Sequence, residues 1–221
     1  MSGLQRLLSH LWPIPVERIA GHYQPLELTW ERGRLVVNTA RANQCFGTLH
    51  HLWRAVFRRM KLRQDPPGRV LVLGFGGGSV ATILHSELHL PCSVVGVEGD
   101  PVMLDLAARP LGAFDQERVQ VILSDAVAWA RTAEVEPFDL VVVDLFIDLD
   151  VPAEAATAQF QEDIQRLTTR SGRIVFNTIA HDEESATQSS RIASEMRQWS
   201  DAVDVFVYNS LNRVFIARSK T

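Results

Sequence analysis

The stretch VLVLGFGGGSVATIL, residues 70–84, decides how this chain folds. An apolar, strand-like segment runs into a turn with glycine at four of five positions, and a second apolar segment follows: the glycines are Gly74, Gly76, Gly77 and Gly78. Glycines between a strand and a helix let the backbone turn sharply and let a ligand lie against the main chain near the helix N-terminus. Ser79 stands where the dinucleotide fingerprint has its third glycine, so the motif alone also fits a purely structural turn. With its surroundings, it predicts a nucleoside site.

Strand-like and helix-like segments alternate from residue 69 onward. The predicted strands read RVLVLGF, SVVGVEG, VQVILSD, DLVVVDLF and GRIVFNTI. Helices are predicted to begin near Ser79, Pro101 and Ala126 and to cover residues 154–169 and 183–199. This order is typical of a parallel sheet with helices on both faces, so we predict an α/β fold with a Rossmann-like, doubly wound sheet.

The end of the chain distinguishes two kinds of doubly wound sheet. Strand-like runs at 203–208 and 213–218 are joined only by the short segment NSLN. That link permits an antiparallel hairpin but not the long crossover that parallel neighbours need. A parallel sheet that ends in such a hairpin is the layout of class I S-adenosylmethionine-dependent transferases, whereas nicotinamide-binding domains continue with parallel units.

A smaller unit is predicted before the sheet. Residues 26–38 predict a β-hairpin around the turn ERGR, and TLHHLWRAVFRRM has the apolar spacing of a helix. The segment QDPPG then breaks the chain, so we predict an N-terminal unit over 1–64 and a nucleoside-binding domain over 65–221. A leucine stripe at the N-terminus predicts a helix that docks on its own domain or on a partner subunit: Leu4, Leu7, Leu8 and Leu11.

Composition argues against several classes of protein. The 221 residues carry a net charge of −4, which gives no reason to expect a nucleic-acid partner. No segment approaches the roughly 18 apolar residues of a membrane span. Cys45 and Cys92 lack metal-ligand spacing and suit a reduced, cytoplasmic protein. We therefore expect neither nucleic acid nor membrane nor metal as a partner.

Three carboxylates follow successive predicted strands, at the edge where the glycine turn also lies. Glu98 ends the second strand, where it is predicted to accept hydrogen bonds from both hydroxyls of a ribose. Asp125, followed by Ala126, either accepts from an adenine amino group or caps the next helix, or does both. Asp144 ends the fourth strand beside the ligand crevice, whereas Asp100 is predicted to be a helix cap.

Acidic side chains crowd the region around Asp144. Residues 132–165 contain nine Asp or Glu and no Lys or Arg, much of which fits a solvated surface. Asp148 and Asp150 lie in a predicted loop over the site, where they favour a cationic substrate. Asp144 is placed to orient an amine and take its proton.

The order of these motifs resembles the spermidine synthase family, most closely its short bacterial members. The motifs are VLVLGFGGGS, VVGVEGDP, SDA, FDLVVVDLF, DVP and GRIVFNT, and the resemblance covers residues 26–180. It implies a methyltransferase-type fold and aminopropyl transfer from decarboxylated S-adenosylmethionine to a polyamine or related amine. By position it implies Glu98 as the ribose ligand, Asp125 as the adenine ligand and Asp144 as the catalytic residue. It also implies a nucleoside contact by Gln44 and an acceptor contact by His51.

The sequence also departs from that family at the acceptor end. Gly77 replaces an aspartate that helps hold the aminopropyl donor, Ile147 replaces a second aspartate, and no tyrosine lies near His50. Three functions therefore stay open. They are aminopropyl transfer to an amine, methyl transfer from S-adenosylmethionine to an unknown acceptor, and nucleoside binding without turnover.

The other histidines and the tryptophans carry weaker predictions. His50 and His51 lie on one predicted helix without a third ligand, which favours a core or interface position over a metal site. His181 follows the fifth strand and is a candidate contact for the acceptor. Trp53, Trp129 and Trp199 are predicted to lie in the core or an interface: all three fall at helical positions. The family resemblance implies a homodimer, which we expect to use the N-terminal hairpin and helix.

Overall fold

A computed structural model describes residues 3–39, 43–45, 47–107 and 113–219. The chain forms a large sheet, helices on both of its faces, and a smaller sheet at the N-terminus. The large sheet contains β5 (Arg69–Leu73), β6 (Ser93–Glu98), β7 (Val119–Leu123), β8 (Phe138–Val143), β9 (Thr168–Ile179), β10 (Val203–Tyr208) and β11 (Asn212–Arg218).

The order of the large sheet is β10-β11-β9-β8-β5-β6-β7. Strands β5 to β9 are parallel to one another, whereas β11 is antiparallel to β9 and β10 is antiparallel to β11. The predicted C-terminal hairpin is therefore confirmed. Because β5 lies between β6 and β8, the chain reverses direction across the sheet beside the glycine turn, and such a switch point is where doubly wound sheets bind ligands.

The apolar strands are buried on both faces, as their sequences predict. Side chains alternate along β5, so Val70 and Val72 pack into one core while Leu71 and Leu73 pack into the other. Both cores are closed by helices, and the strand between them is shielded from water on each side. The carboxyl end of the sheet is consequently the place where its polar side chains reach a cavity.

The helices begin close to their predicted starts. They are α1 (Gly3–Leu8), α2 (Gly47–Arg59), α3 (Ser79–Thr82), α4 (Pro101–Ala107), α5 (Ala126–Thr132), α6 (Ala158–Arg166) and α7 (Glu183–Trp199). A π-helical turn over Ile83–Glu87 continues α3. The helix predicted over 154–169 is shorter, because a 3₁₀ turn (Ala153–Ala156) precedes α6 and Thr157 caps α6 by accepting from the Phe160 amide. The residues after 167 belong instead to β9, which begins before its predicted start.

The N-terminal sheet has four antiparallel strands, of which the sequence predicted only the central hairpin. They are β1 (Ile14–Ala20), β2 (Pro25–Glu31), β3 (Arg34–Asn38) and β4 (Asn43–Cys45). Leu26 and Val37 share a core with Met103 of α4, so this sheet packs against that helix. The turn between β1 and β2 is tied down by the His22 amide, which donates to Asp100 Oδ2 at 2.8 Å.

The predicted leucine stripe at the N-terminus is only partly covered. Leu7 and Leu11 are 68% and 73% exposed, although Leu8 is half-buried. Docking of this stripe on a partner subunit stays a prediction, as does the division of the chain at residue 64. Within the described ranges, no helix has the length and apolar character that crossing a membrane requires.

Candidate functional site

A cavity of about 470 Å³ lies at the carboxyl ends of the parallel strands. The chain contributes one side chain from the end of each central strand: Glu98 from β6, Asp125 after β7, Asp144 after β8 and Asn177 near the end of β9. The turn between β1 and β2 adds Tyr23 and covers the cavity from the N-terminal side. Parallel strands bring all their carboxyl ends to one edge, which is why residues far apart in sequence meet here.

The glycine turn forms the floor of this cavity at Gly74, Gly76 and Gly77. Gly74 has a φ of +86°, and a Cβ at this position would collide with the backbone carbonyl of Asp144. Gly78 also has a positive φ, of +84°, and a Cβ there would collide with the ring of Phe114. Gly78 lies outside the cavity lining. The cluster therefore combines residues that shape the turn with residues that expose main chain to a ligand.

Glu98 holds the glycine turn through backbone hydrogen bonds. Its Oε2 accepts from the amide of Gly76 at 2.7 Å, and its Oε1 accepts from the amide of Asp100 at 2.9 Å. Burial raises the pKa of Glu98, while these two backbone bonds act in the opposite direction. Asp100 itself caps α4, because its Oδ1 accepts from the amide of Val102 at 2.9 Å, as predicted.

Asp125 caps a helix, which is one of the two roles that its sequence position suggested. Its Oδ1 accepts from the amide of Ala128 at 2.7 Å and caps α5. Asp125 and Ala126 also line the cavity. Each carboxylate oxygen has more than one lone pair, so capping leaves acceptor capacity for a ligand.

Asp144 is held differently, by two side chains that donate to its carboxylate. Trp53 Nε1–H donates to Oδ2 at 2.8 Å, and Asn177 Nδ2–H donates to Oδ1 at 2.9 Å. Burial raises the pKa of Asp144 to about 6, although both hydrogen bonds favour the charged form. A carboxylate with a pKa near 6 is a stronger base than an ordinary aspartate yet stays mostly ionised at neutral pH.

The acidic loop after β8 brings only one of its two predicted aspartates to the cavity. Asp148 lines the cavity, adopts a left-handed φ of +57° and accepts from Thr39 Oγ1 at 2.7 Å. Asp150 lies outside the lining and accepts from His181 Nε2 at 2.8 Å. His181, the other predicted acceptor contact, is likewise outside the lining.

Of two further predicted contacts, the structure describes the side chain of only one, His51, which lies outside the cavity lining. His51 is exposed on α2. Gln44 lies in β4, and its side chain is outside the described residues. His50 is buried and its Nε2 lies 2.7 Å from Glu87 Oε1.

Four side chains that the structure brings to the site were not predicted to lie there. Trp53 was predicted to lie in the core or an interface, and it is buried, but its indole N–H also contacts Asp144. Asn177 carried a usable signal, because it is a polar residue in the otherwise apolar strand segment IVFNTI. Tyr23 and Gln24 line the cavity from a turn that the sequence did not place. Burial raises the pKa of the Tyr23 phenol, and the charges of Asp125, Glu98 and Asp100 act in the same direction.

The cavity is strongly acidic. Six carboxylates line it: Glu98, Asp100, Asp125, Asp144, Asp148 and Glu154. The lining that the structure describes contains no Lys, Arg or His. Its field therefore attracts a cation. Across residues 3–39, 43–45, 47–107 and 113–219, no three His, Cys, Asp or Glu side chains are grouped so that they would hold a metal ion.

Comparison with known proteins identifies a domain family over most of the chain. The methyltransferase domain family matches residues 64–214, which include the glycine turn, the three predicted carboxylates, six strands of the large sheet and the first three residues of β11. The match begins at the boundary between α2 and β5 and leaves the N-terminal sheet outside.

Two curated relatives carry out different transfers. A polyamine aminopropyltransferase from Vibrio vulnificus is 32% identical over 130 residues, covering 56% of this chain and 43% of the relative. An eEF1A lysine and N-terminal methyltransferase from Bos taurus is 29% identical over 139 residues, covering 58% of this chain and 20% of the relative. The chain thus spans less than half the length of either relative.

Among solved structures, a probable spermidine synthase from Corynebacterium glutamicum has a TM-score of 0.76 at 17% identity, covering 92% of this chain and 80% of the other. This likeness confirms the predicted fold. Together with the aminopropyltransferase match, it confirms the resemblance to the spermidine synthase family that the ordered motifs indicated.

Proposed function

The chain belongs to the methyltransferase domain family, and from that premise we propose that it is a spermidine synthase-like transferase. It binds S-adenosylmethionine or its decarboxylated form and transfers an aminopropyl group to a polyamine or related amine. The observation that carries this proposal is the acidic cavity, in which Asp144 lies among carboxylates at the end of the sheet. A field of this sign favours both a sulfonium donor and an ammonium acceptor.

The residues present fit the nucleoside part of such a donor. Glu98 uses one lone pair of each oxygen for a backbone amide, which leaves acceptor capacity on both oxygens for two ribose hydroxyls. Asp125 and Ala126 border the same space, where Asp125 would accept from the adenine amino group. Gly76 and Gly77 present main chain rather than side chains along the floor.

The chemistry demands little more from the chain than alignment and a base. A sulfonium donor supplies an alkyl group that is already activated for in-line attack. An amine attacks only when its lone pair is free, so an ammonium must first lose a proton. Asp144 lines the cavity with a raised pKa of about 6 and would take that proton while orienting the nitrogen. Asp148 would stabilise a second positive charge on the acceptor.

Methyl transfer is the second candidate, and two positions favour it. Gly77 lines the cavity where the spermidine synthase family has an aspartate for the donor, and Ile147 stands where that family has a second aspartate. Transfer of a methyl group needs no carboxylate for an aminopropyl ammonium. The bovine methyltransferase relative is consistent with this alternative.

One assay separates these activities. The purified protein is offered S-adenosylmethionine and its decarboxylated form, separately, with a mixture of polyamines, and products are identified by mass spectrometry. Aminopropylated amine formed from the decarboxylated donor supports the proposal. Methylated product from S-adenosylmethionine replaces it with the second candidate. Donor binding without any product points to a nucleoside-binding homologue that does not turn over.

We also propose that the protein works in the cytoplasm as a homodimer through its N-terminal helix and hairpin. Exposed Leu7 and Leu11 supply apolar surface there. Light scattering of the protein after size exclusion measures the assembly. A Leu7→Ser, Leu11→Ser double variant that stays dimeric would place the interface elsewhere.

A further inference from the structure

Asn212 lines the cavity, and its contact extends the hydrogen bonds around Asp144. Its Nδ2–H donates to Asn177 Oδ1 at 3.2 Å, and Asn177 Nδ2–H in turn donates to Asp144 Oδ1. Trp53 Nε1–H completes the set from the other side. Asn212 and Asn177 therefore form a chain of donors that ends on the carboxylate, and Trp53 donates to the carboxylate separately.

The sheet register explains why these side chains meet. Asp144 directly follows Val143, which pairs with Phe176, so Asp144 lies beside Asn177 on the neighbouring strand. Asn212 pairs with Ile179, two residues beyond Asn177, and side chains two apart on a strand share a face of the sheet. Asn177 is fully buried, so its amide has no water to turn towards.

An amide in this position has two orientations with opposite effects on Asp144. With the NH₂ group towards Asp144, the amide donates a hydrogen bond to the carboxylate and cannot accept one from the protonated acid. With the carbonyl oxygen towards Asp144, it would accept a hydrogen bond from the protonated acid and hold the proton away from the cavity. Trp53 is a donor only, so it offers no such second arrangement.

We propose that Asn212 is a positioning residue that fixes the Asn177 amide with its NH₂ group towards Asp144. The lone pair of Asp144 that faces the cavity is then the place where a proton from the acceptor ammonium is received. This inference rests on the proposed function for its chemistry. The orientation itself does not depend on which group is transferred.

The experiment measures the ionisation of the Asp144 carboxyl group and needs no substrate. Each of the five tryptophans gives one indole N–H cross-peak in a ¹H–¹⁵N spectrum, and the Trp53 peak, identified by its loss in Trp53→Phe, reports ionisation of the carboxylate that it contacts. A pH titration of the wild-type protein is expected to give a midpoint near 6, the pKa that burial gives Asp144. The Asp144→Asn variant should abolish that titration.

Removal of the Asn212 donor should raise the midpoint. In Asn212→Leu the Asn177 carbonyl loses its partner and turns towards Asp144, which removes a donor from the ionised form and supplies an acceptor to the protonated form. We expect an upward shift of about one pH unit, the scale of one hydrogen bond to a charged group. Arg213→Gln is the matched control, since its side chain alternates to the other face of β11, and it should leave the midpoint unchanged.

Other titratable groups that line the cavity remain in every variant and bear on the same midpoint: Tyr23, Glu98, Asp100, Asp125, Asp148 and Glu154. Asn212→Ala repeats the test with a smaller side chain if the leucine variant does not fold. An unchanged midpoint in a folded Asn212 variant overturns the inference. A shifted midpoint in a protein that transfers nothing to any amine would refute the proposed function and leave the positioning role standing.

Discussion

The two ends of the cavity hold their key carboxylates by different means. At the nucleoside end, Glu98 accepts hydrogen bonds from the backbone amides of Gly76 and Asp100. At the acceptor end, Asp144 accepts from the side chains of Trp53 and Asn177. Burial raises the pKa of both acids, but only the nucleoside end is fixed by main chain that the turn itself supplies.

This difference separates what the fold provides from what individual residues provide. Backbone donors remain in place under most substitutions, so a nucleoside site built on them survives changes in the rest of the chain. Side-chain donors depend on residue identity, so the base at the acceptor end can be retuned or lost one residue at a time.

The largest expected effect is on turnover. Asp144→Asn should reduce transfer by about 100-fold or more, the scale of general base catalysis, while affinity for the donor changes little. Turnover measured with saturating donor and donor affinity measured by calorimetry test both halves. Asp105→Asn, an exposed change on α4 outside the cavity, is the control. Equal losses in turnover and in donor affinity would contradict the assignment of separate roles to the two ends of the cavity.

At the nucleoside end, the expected change is in ligand affinity. Glu98→Ala should weaken binding of methylthioadenosine by about 1.5 to 3 kcal/mol, because hydrogen bonds to a charged group are lost. Calorimetry of this variant beside Asp144→Asn gives the comparison directly. Affinity equal to that of the wild type would remove Glu98 from the ligand site.

Ionisation of Asp144 supports the proposed catalysis but should lower the free energy of unfolding. Its folded pKa of about 6 lies above the ordinary aspartate value of 3.8, so its stabilising contribution is complete below about pH 4 and is lost as the pH rises through 6. Asn at this position does not ionise. The free energy of unfolding of Asp144→Asn should therefore gain about 1 to 2 kcal/mol on that of the wild type as the pH rises through the folded pKa, a figure reduced for partial exposure.

Urea unfolding at about pH 8 and about pH 5 measures this difference. The advantage of the variant should shrink at the lower pH, where the wild-type carboxyl is largely protonated in the folded state. An advantage of equal size at both values would mean that ionisation of Asp144 is not its cause.

The smallest effect is expected outside the cavity. Asp150 pairs with His181 at 2.8 Å, and the Asp150 side chain is 58% exposed. Exposed pairs contribute roughly 0 to 1 kcal/mol, so His181→Ala should change unfolding free energy and the KM for amine only slightly. A large increase in KM with unchanged kcat would instead return His181 to the acceptor site, where the sequence had placed it.

Much of the fold was predictable because it depends on local pattern. The alternation of apolar strands and helices gave the parallel sheet, and the short link NSLN gave the terminal hairpin. Strand β1 was missed because most of its side chains are exposed and show no apolar alternation, and β4 was missed because it has only three residues. The predicted helix over 154–169 was too long because a helix cap at Thr157 divides that segment.

The sequence by itself determined that three carboxylates follow three parallel strands beside a glycine turn, since strand ends and turn residues are local features. Only the tertiary structure decided which distant side chains contact Asp144. Trp53 and Asn177 lie 91 and 33 residues from Asp144, and Asn212 reaches that cluster through the register of an antiparallel strand. Such contacts depend on packing between distant elements, and packing has no signature in the order of residues along the chain.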